Sequence, residues 1–190
     1  KSKKTQGYIV YAVSGVNTIS FAIDFGNADT KGLLGFAVER LDLKNNERYF
    51  VKGFKVFKEI IPQPDEKTSV STFDQPVQSF VWDDFTGKPD NKYSYFFYPI
   101  KGKPKKLKRE TPIEIPVATE PLYSMTDAHD VFFNRGVASS QAFARRFNNA
   151  TPDKITDPVK KSEVFDWLAR DLKDAIIAFI TKAKDTDRWK

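Results

Sequence analysis

Thr18-Ile19-Ser20-Phe21-Ala22-Ile23-Asp24-Phe25 places an apolar residue at every second position: Ile19, Phe21, Ile23 and Phe25. Successive side chains of a β-strand point to opposite faces, so this spacing predicts a strand with one buried face. The same texture continues on both sides. Residues 8–13, 33–41, 49–57, 77–82, 93–100 and 113–118 also read as strands. Phe36, Val38 and Leu41 alternate around Glu39 and Arg40, with a slip near the end, and Phe50, Lys52, Phe54 and Val51, Gly53, Lys55 form the two faces of another strand. Turn residues separate them at Gly15-Val16-Asn17, Gly26-Asn27-Ala28-Asp29, Lys44-Asn45-Asn46-Glu47 and Gly87-Lys88-Pro89-Asp90-Asn91. Seven short strands without intervening helices predict an antiparallel β-sandwich over residues 7–118.

The connection Phe85-Thr86-Gly87-Lys88-Pro89-Asp90-Asn91-Lys92-Tyr93-Ser94-Tyr95 narrows this expectation. A Pro, a turn and then a Tyr opening a strand resembles the tyrosine corner of immunoglobulin-like and fibronectin type III sandwiches. There the phenol bonds back to the backbone of the preceding connection. Tyr93 is the candidate, although Gly87 replaces the apolar residue usual ahead of the Pro. The absence of cysteine excludes the disulfide-bonded antibody type and leaves the fibronectin type.

Residues 119–190 change texture after Thr119-Glu120-Pro121 and predict two or more α-helices. Residues 136–148 read as a short helix, with Ser139 or Ser140 as N-cap. A longer helix follows, with Asp157 as N-cap and Pro158 at its first position. Phe165, Leu168, Leu172, Ile176 and Phe179 recur every three or four residues along it, while Asp166, Arg170, Lys173 and Asp174 take the other faces. Such a stripe must be buried against the sandwich or against a further domain. The expected fold class is therefore mainly β with a helical C-terminal segment.

Composition bounds the function. The 190 residues are 40% hydrophobic and 29% charged, which suits one or two folded domains and excludes a disordered or collagen-like chain. The apolar runs 175–180 and 33–38 are too short to span a bilayer. With no cysteine there is no disulfide, thiolate chemistry or Cys-based metal site, and a cytoplasmic location is favoured over a secreted one. Lys1-Ser2-Lys3-Lys4 is basic, but no apolar core of a signal peptide follows it. The single histidine, His129, cannot furnish a two-histidine metal or phosphodiesterase centre. No cofactor or metal is expected, and the composition points to a binding or accessory module.

Two groups could carry chemistry. Lys101, Lys103, Lys105, Lys106, Lys108 and Arg109 crowd nine residues that hold no acid. Such a cluster can neutralise phosphates of nucleic acid or of lipid headgroups; the plainer reading is a flexible, solvated connection between two strands. Asp127, His129, Asp130 and Arg135 form a second candidate, a loop in which a His flanked by carboxylates could act as general base. Its plainer reading is a structured loop with a capping Asp. Trp82-Asp83-Asp84 is a pair of acids expected at a strand end facing water.

Longer stretches carry a resemblance. They are Tyr11-Ala12-Val13-Ser14-Gly15-Val16-Asn17-Thr18-Ile19-Ser20-Phe21-Ala22-Ile23-Asp24, Lys31-Gly32-Leu33-Leu34-Gly35-Phe36-Ala37-Val38-Glu39-Arg40, Pro76-Val77-Gln78-Ser79-Phe80-Val81-Trp82-Asp83-Asp84-Phe85 and His129-Asp130-Val131-Phe132-Phe133-Asn134-Arg135-Gly136-Val137-Ala138-Ser139-Ser140-Gln141-Ala142. Together they resemble the region preceding the catalytic part of bacterial phospholipase D-like proteins. The resemblance implies a parent enzyme that cleaves phosphodiesters of lipid or nucleic acid through a repeated His-x-Lys-x4-Asp motif. One His attacks phosphorus, the other protonates the leaving group, and the Lys residues steady the phosphate charge. This chain departs from that motif, because Val131 stands where the Lys should follow His129. No catalytic residue carries over. The implied role is that of an accessory region over residues 7–118, with residues 119–190 leading into a C-terminal catalytic domain of the same polypeptide. Anionic lipid or nucleic acid is the implied ligand.

Overall fold

The computed structural model describes residues 1–65, 67–123, 129–132, 134–135 and 141–182. The chain divides into two compact units, Lys1–Met125 and Thr126–Lys190.

The first unit is built from antiparallel strands. One sheet has the order β1-β2-β7, formed by β1 (Ile9–Ser14), β2 (Ile19–Asp24) and β7 (Val81–Asp84). The other has the order β10-β8-β3-β4, formed by β3 (Leu33–Asp42), β4 (Glu47–Phe50), β8 (Lys92–Lys103) and β10 (Ile113–Ala118). A further strand, β9 (Lys106–Arg109), pairs with the end of β8. Two-residue strands β5 (Lys52–Gly53) and β6 (Val70–Ser71) make a small ribbon of their own. Among the described residues there are thus ten strands rather than the seven expected. The stretch 49–57 breaks after Gly53, and the stretch 77–82 shifts to Val81–Asp84.

The alternation in β2 holds: Ile19, Phe21 and Ile23 are buried, while Ser20, Ala22 and Asp24 are exposed. Phe21 joins the two sheets. Its ring stacks on Trp82 of β7 at 5.6 Å and meets Tyr95 and Phe97 of β8 at 4.7 and 5.1 Å. One core cluster draws on both sheets, which makes the unit sandwich-like. Each fully buried Phe in it contributes about 1.5–3 kcal/mol.

The slip expected near the end of β3 is absent. Phe36, Val38, Arg40 and Asp42 all take the buried positions of one face, so strict alternation continues through two charged residues. The next neighbour of β3 is assembled from pieces. After β4, Val51 donates to the Val38 carbonyl, and the Thr72 hydroxyl both accepts from Val38 N–H (3.1 Å) and donates to Val38 O (3.0 Å). Val77 then exchanges two backbone bonds with Phe36. Gly35, at φ +142°, admits this close approach, since a Cβ there would lie 2.2 Å from Val77 O. The chain from Val77 then leaves β3, bonds Ile23 through Phe80 O and becomes β7 in the other sheet.

The second unit holds α1 (Gln141–Phe147), a 3-10 turn at Pro152–Lys154, α2 (Pro158–Ala169) and α3 (Asp171–Thr181). Asp157 caps α2 as expected, its carboxylate accepting from Val159 and Lys160 N–H, with Pro158 at the first position. The single long helix is not formed. Arg170 takes φ 53° and ψ −135°, which turns the chain and divides the pattern into α2 and α3. The apolar cluster uses Phe143, Phe147, Val164, Trp167 and Leu168, while Phe165, Ile176 and Phe179 of the expected stripe are exposed. With the turn at Arg170, residues before and after it no longer share one helix face. The proposed caps Ser139 and Ser140 lie outside the described residues. Among the described residues, no helix is long and apolar enough to cross a membrane.

Candidate anion-binding site

Strand directions sort the loops of the sandwich into two ends. β1 and β3 run from one end to the other, β2 and β8 run back, and β10 and β7 run forward again. The starting end therefore gathers the residues before β1, the β2–β3 loop and the β8–β9 turn. The far end gathers the turns after β1 and β3, residues 85–91, and the exit of the chain after Ala118.

The far end closes over buried charge. Arg40 Nη1 meets Asp84 Oδ2 at 2.8 Å, bridging the two sheets, with both side chains almost fully buried. Asp84 also accepts from Tyr95 OH at 2.9 Å and from Thr86 N–H and Oγ1–H. Arg40 donates to the Thr86 hydroxyl and to Tyr49 OH, and it lies over the rings of Tyr49 and Tyr93. Burial opposes the charge on Arg40, but Asp84 and Tyr95 together outweigh it and raise the guanidinium's pKa. Burial, then the Asp84 carboxylate, pushes the Tyr95 phenol up. Asp84 is thus no water-facing strand end: its position in β7 is inward, and Arg40 stands opposite it. Nearby, buried Asp42 accepts from Asn91 Nδ2 at 3.1 Å and from Lys44 and Asn45 N–H, with Lys88 Nζ at 3.5 Å. Tyr93 OH accepts from Lys88 N–H at 2.9 Å, the bond expected of a tyrosine corner.

The starting end has the opposite character. Residues 101–109 are not a flexible connection but a β-hairpin with Lys101 opposite Lys108 and Lys103 opposite Lys106. Gly102, at φ +108°, makes the turn possible, because a Cβ there would lie 2.4 Å from Lys106 O. Opposed residues of an antiparallel pair share a face, so four ammonium groups are set on one side of a rigid hairpin. The cluster divides into a neutralised root and a free tip. At the root, Lys101 Nζ bonds Asp29 Oδ2 at 2.9 Å and approaches Glu110 Oε2 at 4.0 Å. The Asp29 bond raises the Lys101 ammonium and lowers its own carboxyl. Lys108 meets Glu110 at 3.6 Å. Arg109 donates to Phe73 O at 2.7 Å, approaches Asp74 at 3.5 Å and lies over the Phe73 ring. At the tip, Lys103, Lys105 and Lys106 are exposed, and no ion pair or side-chain hydrogen bond is formed by them among the described residues.

The fold adds basic residues that sequence distance hides. Tyr8 OH donates to Asp29 O (3.4 Å), and Asn27, with its amide oriented to satisfy its neighbours, accepts from Lys4 Nζ at 3.1 Å. The strand Ile9–Ser14 thus starts beside the β2–β3 loop, and Asp29 of that loop holds Lys101 of the hairpin. Exposed Lys3, Lys4 and Lys31 therefore stand at the same end as the hairpin tip. The run Lys1-Ser2-Lys3-Lys4 is visible in the sequence. Its nearness to residues 101–109 depends on strand pairing across most of the sandwich.

The second candidate lies only partly within the described residues. His129 and Asp130 are exposed, and Asp127 lies outside the described residues. Arg135 is half-buried, its N–H donating to Leu168 O at 2.7 Å and its guanidinium 4.1 Å from the Trp167 ring centre. Burial, then Arg170 and Arg146, lowers its pKa. Among the described residues, no group of acids and histidines is placed to hold a metal ion.

No protein-family model matches the chain, and no curated protein sequence matches it.

Proposed function

We propose that this chain is a non-catalytic accessory region of a phospholipase D-like phosphodiesterase, and that the basic end of its sandwich holds the anionic substrate or partner. The hairpin tip carries this reading. Lys103, Lys105 and Lys106 are held close together by the hairpin, with no ion pair formed by them among the described residues, so an approaching phosphate relieves their mutual repulsion. The phosphodiesterase assignment rests on the stretches quoted above and on a chain that lacks the His-x-Lys-x4-Asp motif. A fibronectin type III-like sandwich is part of the same proposal, supported by two facing antiparallel sheets and the Tyr93–Lys88 bond.

The binding half is tested by retention on a polyanion such as heparin. The chain is expected to elute later than a K103E/K105E/K106E variant, by a margin that shrinks as salt rises. Equal elution removes the basic end as the binding site. The accessory half is tested by immunoblot of source cells: a band well above 21.7 kDa is expected, and a band at that mass removes it. Hydrolysis of a phosphodiester by the purified chain would contradict the non-catalytic role.

A stand-alone module that binds a protein is a second reading, favoured by one observation. Tyr11, Ala22 and Val81 lie side by side across the outer face of the three-stranded sheet, with exposed Val13 close by. A band at 21.7 kDa together with no polyanion retention would move the function to that face.

A further inference from the structure

The basic end is made of turns and loops. Its charges come from turns and chain starts: Lys103, Lys105 and Lys106 at the β8–β9 tip, Lys31 in the β2–β3 loop, and Lys3 and Lys4 before β1. A channel for a nucleic acid strand would need these charges to line a groove and track a backbone. Turns gathered at one end of a sandwich can instead meet a plane together. The β2–β3 loop also exposes an aromatic ring. Phe25 is 46% exposed and rests on Phe80, ring centres 4.3 Å apart, with Phe80 in turn against Phe36 of the core. An exposed ring on a rigid base among lysines suits the boundary between headgroups and acyl chains. The acids at this end are fewer than its lysines: Asp29 is taken by Lys101, and Asp24, which accepts from Gly26 N–H within its own turn, offsets one charge of the six lysines named.

We propose that this end of the sandwich docks on the surface of an anionic lipid bilayer, the hairpin-tip lysines among the headgroups and Phe25 at the interface. The proposal rests on the reading that the basic end is the binding site, and it names the ligand. Each lysine near such a surface strengthens binding several-fold, and the increments add over a rigid patch. The chain leaves the sandwich at the opposite end, after Ala118, so docking leaves that exit clear.

The test is co-sedimentation of the whole chain, at low salt, with phosphatidylcholine vesicles containing or lacking a quarter phosphatidylserine. A single-stranded oligothymidylate of matched charge concentration is measured in parallel. Binding is expected only to the phosphatidylserine vesicles. K103A/K105A/K106A should weaken it by about a hundredfold and Phe25→Ser by about tenfold. Both variants lie at exposed positions, and their melting curves establish that they fold. Vesicle binding of undiminished strength in either variant overturns the proposal. Binding to the oligonucleotide but not to the vesicles also overturns it, while leaving the broader reading of the basic end intact. Binding to neither at low salt removes both.

Discussion

The two ends of the sandwich handle charge in opposite ways. At the far end, Arg40, Asp84, Asp42 and Asn91 are buried and bonded to one another, to Tyr95 and Thr86, and to backbone N–H groups, with Arg40 Nε left without a partner among the described residues. At the starting end, Lys103, Lys105 and Lys106 are exposed and form no ion pair among the described residues. Burial forces a charge to find its counter-charge, because an unpaired buried ion is too costly to keep. Exposure imposes no such demand, so unpaired charge can persist there and be used. The far end therefore reads as a structural clasp between sheets, and the starting end as a surface that carries exposed charge.

The clasp gives the largest predicted effect. Asp84→Ala leaves Arg40 buried without its carboxylate and should destabilise the sandwich by about 3–5 kcal/mol in urea unfolding. Replacing both partners, Arg40→Met with Asp84→Leu, should recover most of that loss, because two apolar side chains need no counter-charge. A loss under about 1 kcal/mol from Asp84→Ala would show that the pair is not buried, since exposed pairs are worth that little. It would also erase the contrast between the ends.

Acid probes the same end. Burial works against the Asp42 carboxylate. The Asn91 amide, the N–H groups of Asn45 and Lys44, and Lys88 outweigh it and hold the carboxyl below the usual range. A depressed carboxyl stabilises the fold above its unfolded pKa, and that stabilisation is lost as pH falls through the lower folded value. Stability measured from pH 6 downward should therefore start to fall below about pH 4. Asp42→Asn should be less stable at neutral pH and show a shallower acid slope. An unchanged slope would place the acid-sensitive group elsewhere.

Tyr93→Phe is expected to be milder. It removes the acceptor for Lys88 N–H and should cost about 1 kcal/mol, with faster amide exchange at Lys88 as the local readout. Loss of stability without that local change would mean that ring packing, and not the corner bond, is what the phenol supports.

Much of this architecture is legible in residue order, but not the contrast. Strict alternation in β2 and β10 and the turn residues between strands mark the antiparallel character directly. In β3 the same alternation is masked, because Arg40 and Asp42 occupy inward positions that a hydrophobicity pattern reads as outward. Asp84, in the other sheet and forty-four residues away, makes the Arg40 position tolerable, and Asn91 with the Lys44 and Asn45 N–H groups does the same for Asp42. Thr72 presents a similar case, since its hydroxyl stands in for a backbone partner of Val38 and no local spacing announces that. The hairpin tip was legible as charge, yet the division into neutralised root and free tip depends on Asp29, Glu110 and Asp74. Of these, Glu110 alone adjoins the cluster in sequence. The break at Arg170 has no Gly or Pro to mark it, and nothing in the structure explains why a bulky residue holds that conformation.

The smallest predicted effect is also the most direct test of whether the tip is free. Lys103 and Lys106 face each other across the hairpin, and like charges so placed repel. Lys103→Ala should therefore raise Tm slightly, by about 1 °C at low ionic strength. The gain should vanish near 1 M salt, where the Debye length shrinks to about 3 Å. Lys101→Ala, two register steps along the same strand pair, should do the opposite, because it removes the partner of Asp29. Opposite signs at two lysines two residues apart cannot come from general charge reduction, which would move both the same way. They require a root whose charge is matched and a tip whose charge is not. If Lys103→Ala lowers Tm instead, the tip has a counter-charge of its own, and the starting end holds no surplus for an anion to neutralise.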